Sequence, residues 1–195
     1  MIIIGDVHGN IDQYKKFIED EDESIQIGDF GFKKEHDRFL KEVDNKNNGH
    51  RILFGNHDYY PYLNKKYSLL DYMYLEKYDI YCIRGAYSID RNQRTMGLDL
   101  FENEEISYNK WPKIIEDFSI KKPEIVISHE APHIVRDRFF NINRYSLTSH
   151  ALQECLEIHR PRIWIFGHHH RSIRKEILGY RTMFICLNEL ETIRI

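Results

Sequence analysis

The sequence predicts an α/β fold with an at least partly parallel sheet, and three observations carry that expectation. Short apolar runs recur along the chain, helical stretches with an apolar face lie between several of them, and each run ends in glycine or serine followed by a polar residue. Brief, β-branched runs bounded by turn residues read as buried strands, and strands alternating with helices read as α/β.

The first run, Met1 to Ile4, leads into Gly5-Asp6, and a second, Ser24 to Ile27, into Gly28-Asp29. Arg51 to Phe54 precedes Gly55-Asn56, Glu124 to Ile127 precedes Ser128-His129, and Arg162 to Phe166 precedes Gly167-His168. Between the first two, Ile11 to Glu19 sets Tyr14, Phe17 and Ile18 at helical spacing behind Asn10, a good N-cap residue. Lys34 to Val43 repeats the pattern with Phe39, Leu40 and Val43. Ser146 to His159 carries Leu147, Ala151, Leu152, Cys155, Leu156 and Ile158 on one face until Pro161 stops it. After His170 the apolar residues Ile173, Ile177, Tyr180, Met183, Ile185, Leu187 and Ile193, broken at Gly179 and Asn188, suggest closing antiparallel strands.

With 195 residues the chain fits one domain, residues 1–195, large enough to bury a core. The polar stretch of about 84–108 is expected as an insertion bordering the active site, since long loops in compact domains often serve function. A net charge of -3 gives no electrostatic footprint for a nucleic-acid backbone, and Arg171 to Lys175 reads as a solvated edge. Cys82, Cys155 and Cys186 are odd in number and widely spaced, so reduced, buried thiols are expected rather than a disulfide framework. Met1 to Ile4 run straight into a glycine and an aspartate without the basic leader of a signal peptide, and no apolar stretch has membrane-spanning length. The expectation is a soluble, cytoplasmic protein with no membrane partner.

Each of the five runs ends in a residue able to bind metal: Asp6, Asp29, Asn56, His129 and His168. Parallel strands present their carboxyl ends along one edge, which would bring these residues together. Asp6 with His8 and His168 with His170 are i, i+2 pairs, and in extended backbone such residues point to one side. Val7 and His169 would then face away. Oxygen and imidazole donors without thiolate suit Mn, Fe, Ni, Co or Zn and suit calcium poorly. Seven donors exceed one ion's needs and suffice for two if one carboxylate bridges.

In order, Gly5-Asp6-Val7-His8-Gly9-Asn10, Gly28-Asp29, Gly55-Asn56-His57-Asp58, Ser128-His129 and Gly167-His168-His169-His170 resemble the five blocks of the calcineurin-like metallophosphoesterase superfamily. The resemblance implies a β-sandwich of mixed sheets flanked by helices, with the active site at the strand carboxyl ends. It implies two divalent metal ions, manganese first and Fe, Zn, Ni or Co as alternatives. One would be held by Asp6, His8, Asp29 and His170, the other by Asp29, Asn56, His129 and His168. A water between them would be acidified for in-line attack on a phosphate ester. His57 would protonate the leaving oxygen or stabilise the transition state, oriented by Asp58.

The phosphoprotein phosphatases of that superfamily carry two phosphate-gripping arginines that Gly28-Asp29-Phe30-Gly31 and Phe54-Gly55-Asn56-His57-Asp58 lack. Small bacterial and phage-type phosphoesterases with Gly-Asp-Phe-Gly are more similar. Arg84, Arg91 or Arg94 is expected to supply the missing clamp, because a guanidinium matches phosphate geometry.

Plainer readings stand beside these. Any single Gly-Asp after a strand is ordinary turn chemistry, and Gly5, Gly28, Gly55 and Gly167 serve either the turns or the close approach of backbone to metal. His36, His50, His150 and His159 are left outside the site; His133 either lines the pocket or sits in a surface turn, and His169 lies next to the ligands or in solvent. Glu102, Glu104 and Glu105 read as a solvated charged edge. The expected function is hydrolysis of phosphomonoesters or small phosphodiesters, nucleotides among them. A nuclease and a non-catalytic scaffold are the alternatives; the first lacks a basic surface, and the second would not need every ligand position filled.

Overall fold

The computed structural model describes residues 1–31, 49–62 and 67–195. The expected helix at 34–43 lies outside them. The strands are β1 Ile2–Ile4, β2 Ser24–Gln26, β3 His50–Ile52, β4 Tyr72–Leu75, β5 Ile80–Ile83, β6 Ile125–Ser128, β7 Ile163–Phe166, β8 Ile173–Glu176, β9 Met183–Cys186 and β10 Thr192–Arg194. The longer helices are α1 Ile11–Ile18, α2 Trp111–Lys121 and α3 Leu147–Ile158.

Among the described residues these strands form two mixed sheets, one in the order β10-β1-β2-β3 and one in the order β4-β5-β6-β7-β9-β8. The expected runs therefore divide between two sheets, with β1, β2 and β3 mutually parallel in the first and β6 and β7 parallel in the second. The closing segment is only partly antiparallel: β8 runs against β9 and β10 against β1, but β9 lies parallel to β7. Sequence periodicity cannot distinguish these cases, because a strand covered on both faces is apolar throughout.

Side-chain alternation explains that apolarity. Ile3, Ile25, Cys82, Ile127, Ile165 and Ile185 share one buried cluster between the sheets. On the outer face of the first sheet, Ile2 and Ile4 pack with Tyr14 of α1 and with Phe30. On the outer face of the second, Tyr81, Val126, Trp164, Phe166 and Phe184 pack with Trp111 and Phe118 of α2 and with Leu152 and Leu156 of α3. The result is helix, sheet, sheet and helices in four layers, with a period of two deciding which layer each strand residue joins.

Local signals set the helix ends. The Asn10 side chain accepts from the Gln13 amide at 3.3 Å, and Ser146 Oγ accepts from Ser149 at 3.2 Å. Helix α2, which the apolar pattern does not single out, starts with Pro112 in its first turn and ends at Lys122 in a left-handed cap. The strands β4 and β5 also escape that pattern, because they turn through left-handed Asp79 rather than a Gly-Asp pair. All three cysteines are free and buried, and burial pushes their thiols upward. Among the described residues no helix is long and apolar enough to cross a membrane.

Ile165 is fully buried between the sheets, directly below the strand end that carries His168. Ile165→Ala is expected to lower the free energy of unfolding by roughly 2–5 kcal/mol, read from the urea midpoint at unchanged m-value.

Candidate metal centre

Every expected ligand lies just beyond the carboxyl end of a strand. Asp6 and His8 follow β1, Asp29 follows β2, Asn56 to Asp58 follow β3, His129 follows β6, and His168 and His170 follow β7. Two overlapping donor groups result. Asp6, His8, Asp29 and His170 bring one ligand atom each to within 4.8 Å of one another, and so do Asp29, His129 and His168. Asn56 joins the second, its Oδ1 3.2 Å from His129 Nε2.

The paired ligands do not converge by extended i, i+2 geometry. His8, His168 and His170 all have positive φ, at 47°, 65° and 48°, and Asp29 has 52°. Each strand breaks into a left-handed turn that swings its ligand inward. Of the residues between the pairs, Val7 is buried against the α1 side of the first sheet, as expected. His169 instead stacks on Phe140 at 4.1 Å and binds Glu130 Oε1 at 2.9 Å.

Hydrogen bonds decide which ring nitrogen a histidine offers. His129 turns Nδ1 to the Ile27 carbonyl at 3.0 Å, leaving Nε2 3.3 Å from Asp29 Oδ1. His170 places Nδ1 2.9 Å from Glu189 and Nε2 3.3 Å from Asp6 Oδ2. Among the described residues His168 makes no such bond: its Nε2 lies 3.8 Å from Glu130 Oε2, an ion-pair distance. His8 Nε2 lies 3.2 Å from His170 Nε2 and 4.0 Å from Asp29 Oδ2.

These donors fit divalent ions. Ligands about 2.0–2.2 Å from a common ion sit roughly 3–3.5 Å apart, close to the spacings here. Asp29 Oδ2 is buried with no hydrogen-bond partner in the protein, a state that a cation would relieve. Asp29 Oδ1 is held by the His57 amide at 2.8 Å, and Asp6 accepts the His168 amide at 3.1 Å, so backbone donors aim both carboxylates.

Charge is tightly matched. Burial opposes ionisation of Asp29, but the imidazoles of His129, His57 and His168 outweigh it and hold the carboxyl well below the usual range. Burial likewise opposes charge on His129, yet Asp29 and Asp6 raise it to about 10. Burial takes His168 down to about 3. The hydrogen bond to Asp6 raises His170, and desolvation lowers His57.

Asp58 does not reach His57 directly. Its two oxygens accept the Gly31 amide at 2.8 Å and the Gly55 amide at 2.7 Å, tying the β2 and β3 loops together. Burial, reinforced by the charge of Asp29, pushes its carboxyl up to about 7. The His57 ring faces solvent beside His8, with centroids 5.9 Å apart.

The expected clamp arginines separate. Arg84 is buried, with Nε on Asp71 at 2.8 Å and Nη1 on the Asn103 carbonyl at 2.7 Å. Arg94 is also engaged within the protein: Nη1 meets Ser88 Oγ at 2.5 Å, and Nη2 meets the Asn56 carbonyl at 2.9 Å and Glu104 at 2.8 Å. Arg91 lies over the Tyr87 ring at 5.2 Å.

The middle segment supports the ligands in ways the sequence reading misses. Ser88 Oγ accepts the Asn56 side-chain amide at 2.9 Å and so turns Asn56 Oδ1 toward His129. Glu104 accepts Ser88 at 2.8 Å and is only 3 % exposed, which corrects its reading as a solvated edge. Glu105 accepts Ser146 Oγ and the Thr148 amide at the start of α3. Glu130, fully buried, faces His168, His169 and Arg136, and these three overcome the burial that would raise it. Its place directly after His129 was the one signal in the sequence.

His133 stacks on His150 at 4.6 Å, outside both donor groups. His50 binds Ser24 at 2.9 Å and His159 binds the Pro123 carbonyl at 2.9 Å, both structural contacts; His36 lies outside the described residues.

The chain belongs to the calcineurin-like phosphoesterase family, whose model matches residues 1–172. That family is one of phosphoester hydrolases that work with divalent metal ions. No curated protein sequence matches it. Among solved structures, it is similar to a candidate 5′-nucleotidase from Staphylococcus aureus, solved in complex with α-ketoglutarate. The TM-score is 0.53 at 15% identity, covering 96% of this chain and 48% of that one. The chain therefore spans about half the length of that protein, and the likeness is one of fold. A conserved uncharacterised protein from Streptococcus pneumoniae, a predicted phosphoesterase, aligns at 14% identity with a TM-score of 0.42, covering 96% of this chain and 72% of that one.

A side chain at Gly55 would bring its Cβ to 2.5 Å from His129 Nε2 and from the Asp29 amide nitrogen. Gly55→Ala is expected to weaken divalent-metal binding by roughly 10- to 100-fold in calorimetric titration, with an unchanged far-UV circular dichroism spectrum.

Proposed function

We propose that this chain hydrolyses phosphomonoesters or small phosphodiesters at a centre of two divalent ions that share Asp29. The observation that carries the reading is the membership of Asp29 in both donor groups, with one carboxylate oxygen turned to each. Asp6, His8, Asp29 and His170 would hold one ion, and Asp29, Asn56, His129 and His168 the other. Manganese is the first ion to try, with Fe, Zn, Ni and Co as alternatives for a nitrogen and oxygen donor set. Such a pair of ions supplies charge neutralisation for the phosphate and acidifies water for attack.

The chain's own groups then have separable tasks. His8 and His170 are exposed while His129 is fully buried, so an ester approaches from the side of the first group. The amide of His57 is pinned to Asp29 and its ring is exposed at that open side, where it would act as proton donor to the leaving oxygen. Asp58 holds the loop that carries His57 by fastening the Gly31 and Gly55 amides. Arg91, stacked on Tyr87 rather than locked in a buried ion pair, is the arginine left to meet substrate phosphate. The candidate 5′-nucleotidase among the structural neighbours makes nucleotides one class of ester to include.

Purified protein is expected to bind close to two divalent ions per chain by elemental analysis and to hydrolyse p-nitrophenyl phosphate or its bis ester in a chelator-sensitive manner. Asp29→Ala should reduce both metal content and turnover to background, whereas His57→Ala should keep the metal and lose roughly 10²–10⁴-fold in kcat. Protein without metal or turnover under any of these ions would refute the reading. Arg91→Ala should raise KM by roughly tenfold with the metal content intact; an unaltered KM removes Arg91 from the phosphate site.

A further inference from the structure

A cavity of about 310 Å³ opens beside His57, lined by Gly31, Asp58, Tyr59, Leu98, Asp99 and Phe101. Its size is at the lower end of small-molecule sites, about 300–1,000 Å³. We propose that it is the leaving-group subsite, and that it accepts a flat, uncharged ring borne by the leaving group, either on the ester oxygen itself or farther along. The proposal rests on the phosphoesterase reading above, in which His57 delivers the proton to the leaving oxygen. Whatever that oxygen carries must then lie on the His57 side of the centre, where this cavity is.

The lining specifies the chemistry. Tyr59 and Phe101 meet edge to face with centroids 5.5 Å apart, a corner that suits a third ring. Leu98 is 71 % exposed and so presents an apolar face to whatever enters the cavity. Two carboxyl groups, those of Asp58 and Asp99, line the cavity. A leaving group bearing further phosphates or carboxylates is therefore disfavoured.

The wall is also preformed. The Thr95 carbonyl accepts the amides of Leu98, Asp99 and Leu100, each at 3.1 Å, and the Asp99 side chain accepts the Thr95 amide at 2.6 Å. Arg94 fastens this turn to the ligand loop, since one guanidinium nitrogen donates to both the Asp99 and Asn56 carbonyls. Glu104, which holds Arg94, also accepts the Phe101 amide at 3.0 Å. The same buried network that orients Asn56 thus holds the cavity wall in register with the metal ligands, and little ordering cost remains for the ligand.

The test uses the metal-loaded full chain with phenylphosphonate and methylphosphonate as non-hydrolysable probes, and with phenyl phosphate and glycerol 3-phosphate as substrates. Phenylphosphonate should inhibit about tenfold more strongly than methylphosphonate, and Leu98→Asp should bring the two within about twofold of each other. Because Leu98 is exposed, this variant should fold; Leu98→Phe should retain the preference. The ratio of kcat/KM for phenyl phosphate over glycerol 3-phosphate should fall about tenfold in Leu98→Asp. Adenosine 5′-monophosphate separates the sources of the ring. A parallel fall in its kcat/KM assigns the cavity to a nucleobase, and a fall confined to phenyl phosphate assigns it to an aryl group on the ester oxygen. Equal inhibition by the two phosphonates in the unmodified protein, or a preference that Leu98→Asp leaves intact, would overturn the subsite while leaving the phosphoesterase reading in place. Failure to hydrolyse any ester would remove both.

Discussion

The two sheets of this protein meet at one edge through a carboxylate from the first and an imidazole from the second. Asp29 and His129, 3.3 Å apart and both inaccessible to solvent, form that junction. In a low-dielectric interior a carboxylate is tolerable only beside a polar or charged partner, so the pair constrains how the sheets align. Backbone groups aim three of the donors, amides for Asp6 and Asp29 and a carbonyl for His129, while carboxylates lie beside His168 and His170. A centre assembled from five strand ends can be rigid only if the sandwich beneath it is, and the aliphatic layer between the sheets supplies that rigidity.

The division of labour between loops follows from burial. The inner donor group is enclosed, with His129 and Asn56 inside the protein, whereas His8 and His170 stand open at the surface. The segment around 84–108 closes over the inner side and works from beneath, through Ser88 and Glu104 to Asn56 and through Arg94 to the turn at Thr95. Its polarity, which in sequence looks like solvated surface, is in part an internal hydrogen-bonded network around a buried guanidinium.

Much of this was legible before any coordinates. Five apolar runs with polar ends located the strands whose ends bring the candidate donors together, because burial on both faces makes such strands uniformly apolar and the chain must turn where they stop. Asn10, Ser146 and Pro161 marked helix ends through chemistry that is local. What escaped were features that depend on distant partners. The assignment of the runs to two sheets, the parallel course of β9 and the strands β4 and β5 are settled by tertiary packing, on which periodicity is silent. The ligand pairs were legible, but their conformation was not, since an extended i, i+2 arrangement and a left-handed turn can both bring side chains to one point. Arg84, Arg94 and Glu104 were misread for a simpler reason: a charged residue looks exposed until its counter-charge is known.

The left-handed backbone at His8, Asp29, His168 and His170 has a consequence for how such a site persists. An L-residue in that region costs roughly 1–2 kcal/mol, so four of them form a standing debit against the 5–15 kcal/mol typical of a folded domain. Glycine at any of these places would relieve the strain and abolish a ligand. Asp79, Lys122, Asn141, Arg181 and Leu190 adopt the same backbone away from both donor groups, so the fold uses such turns generally; only at the centre would relaxing them to glycine also remove a donor atom.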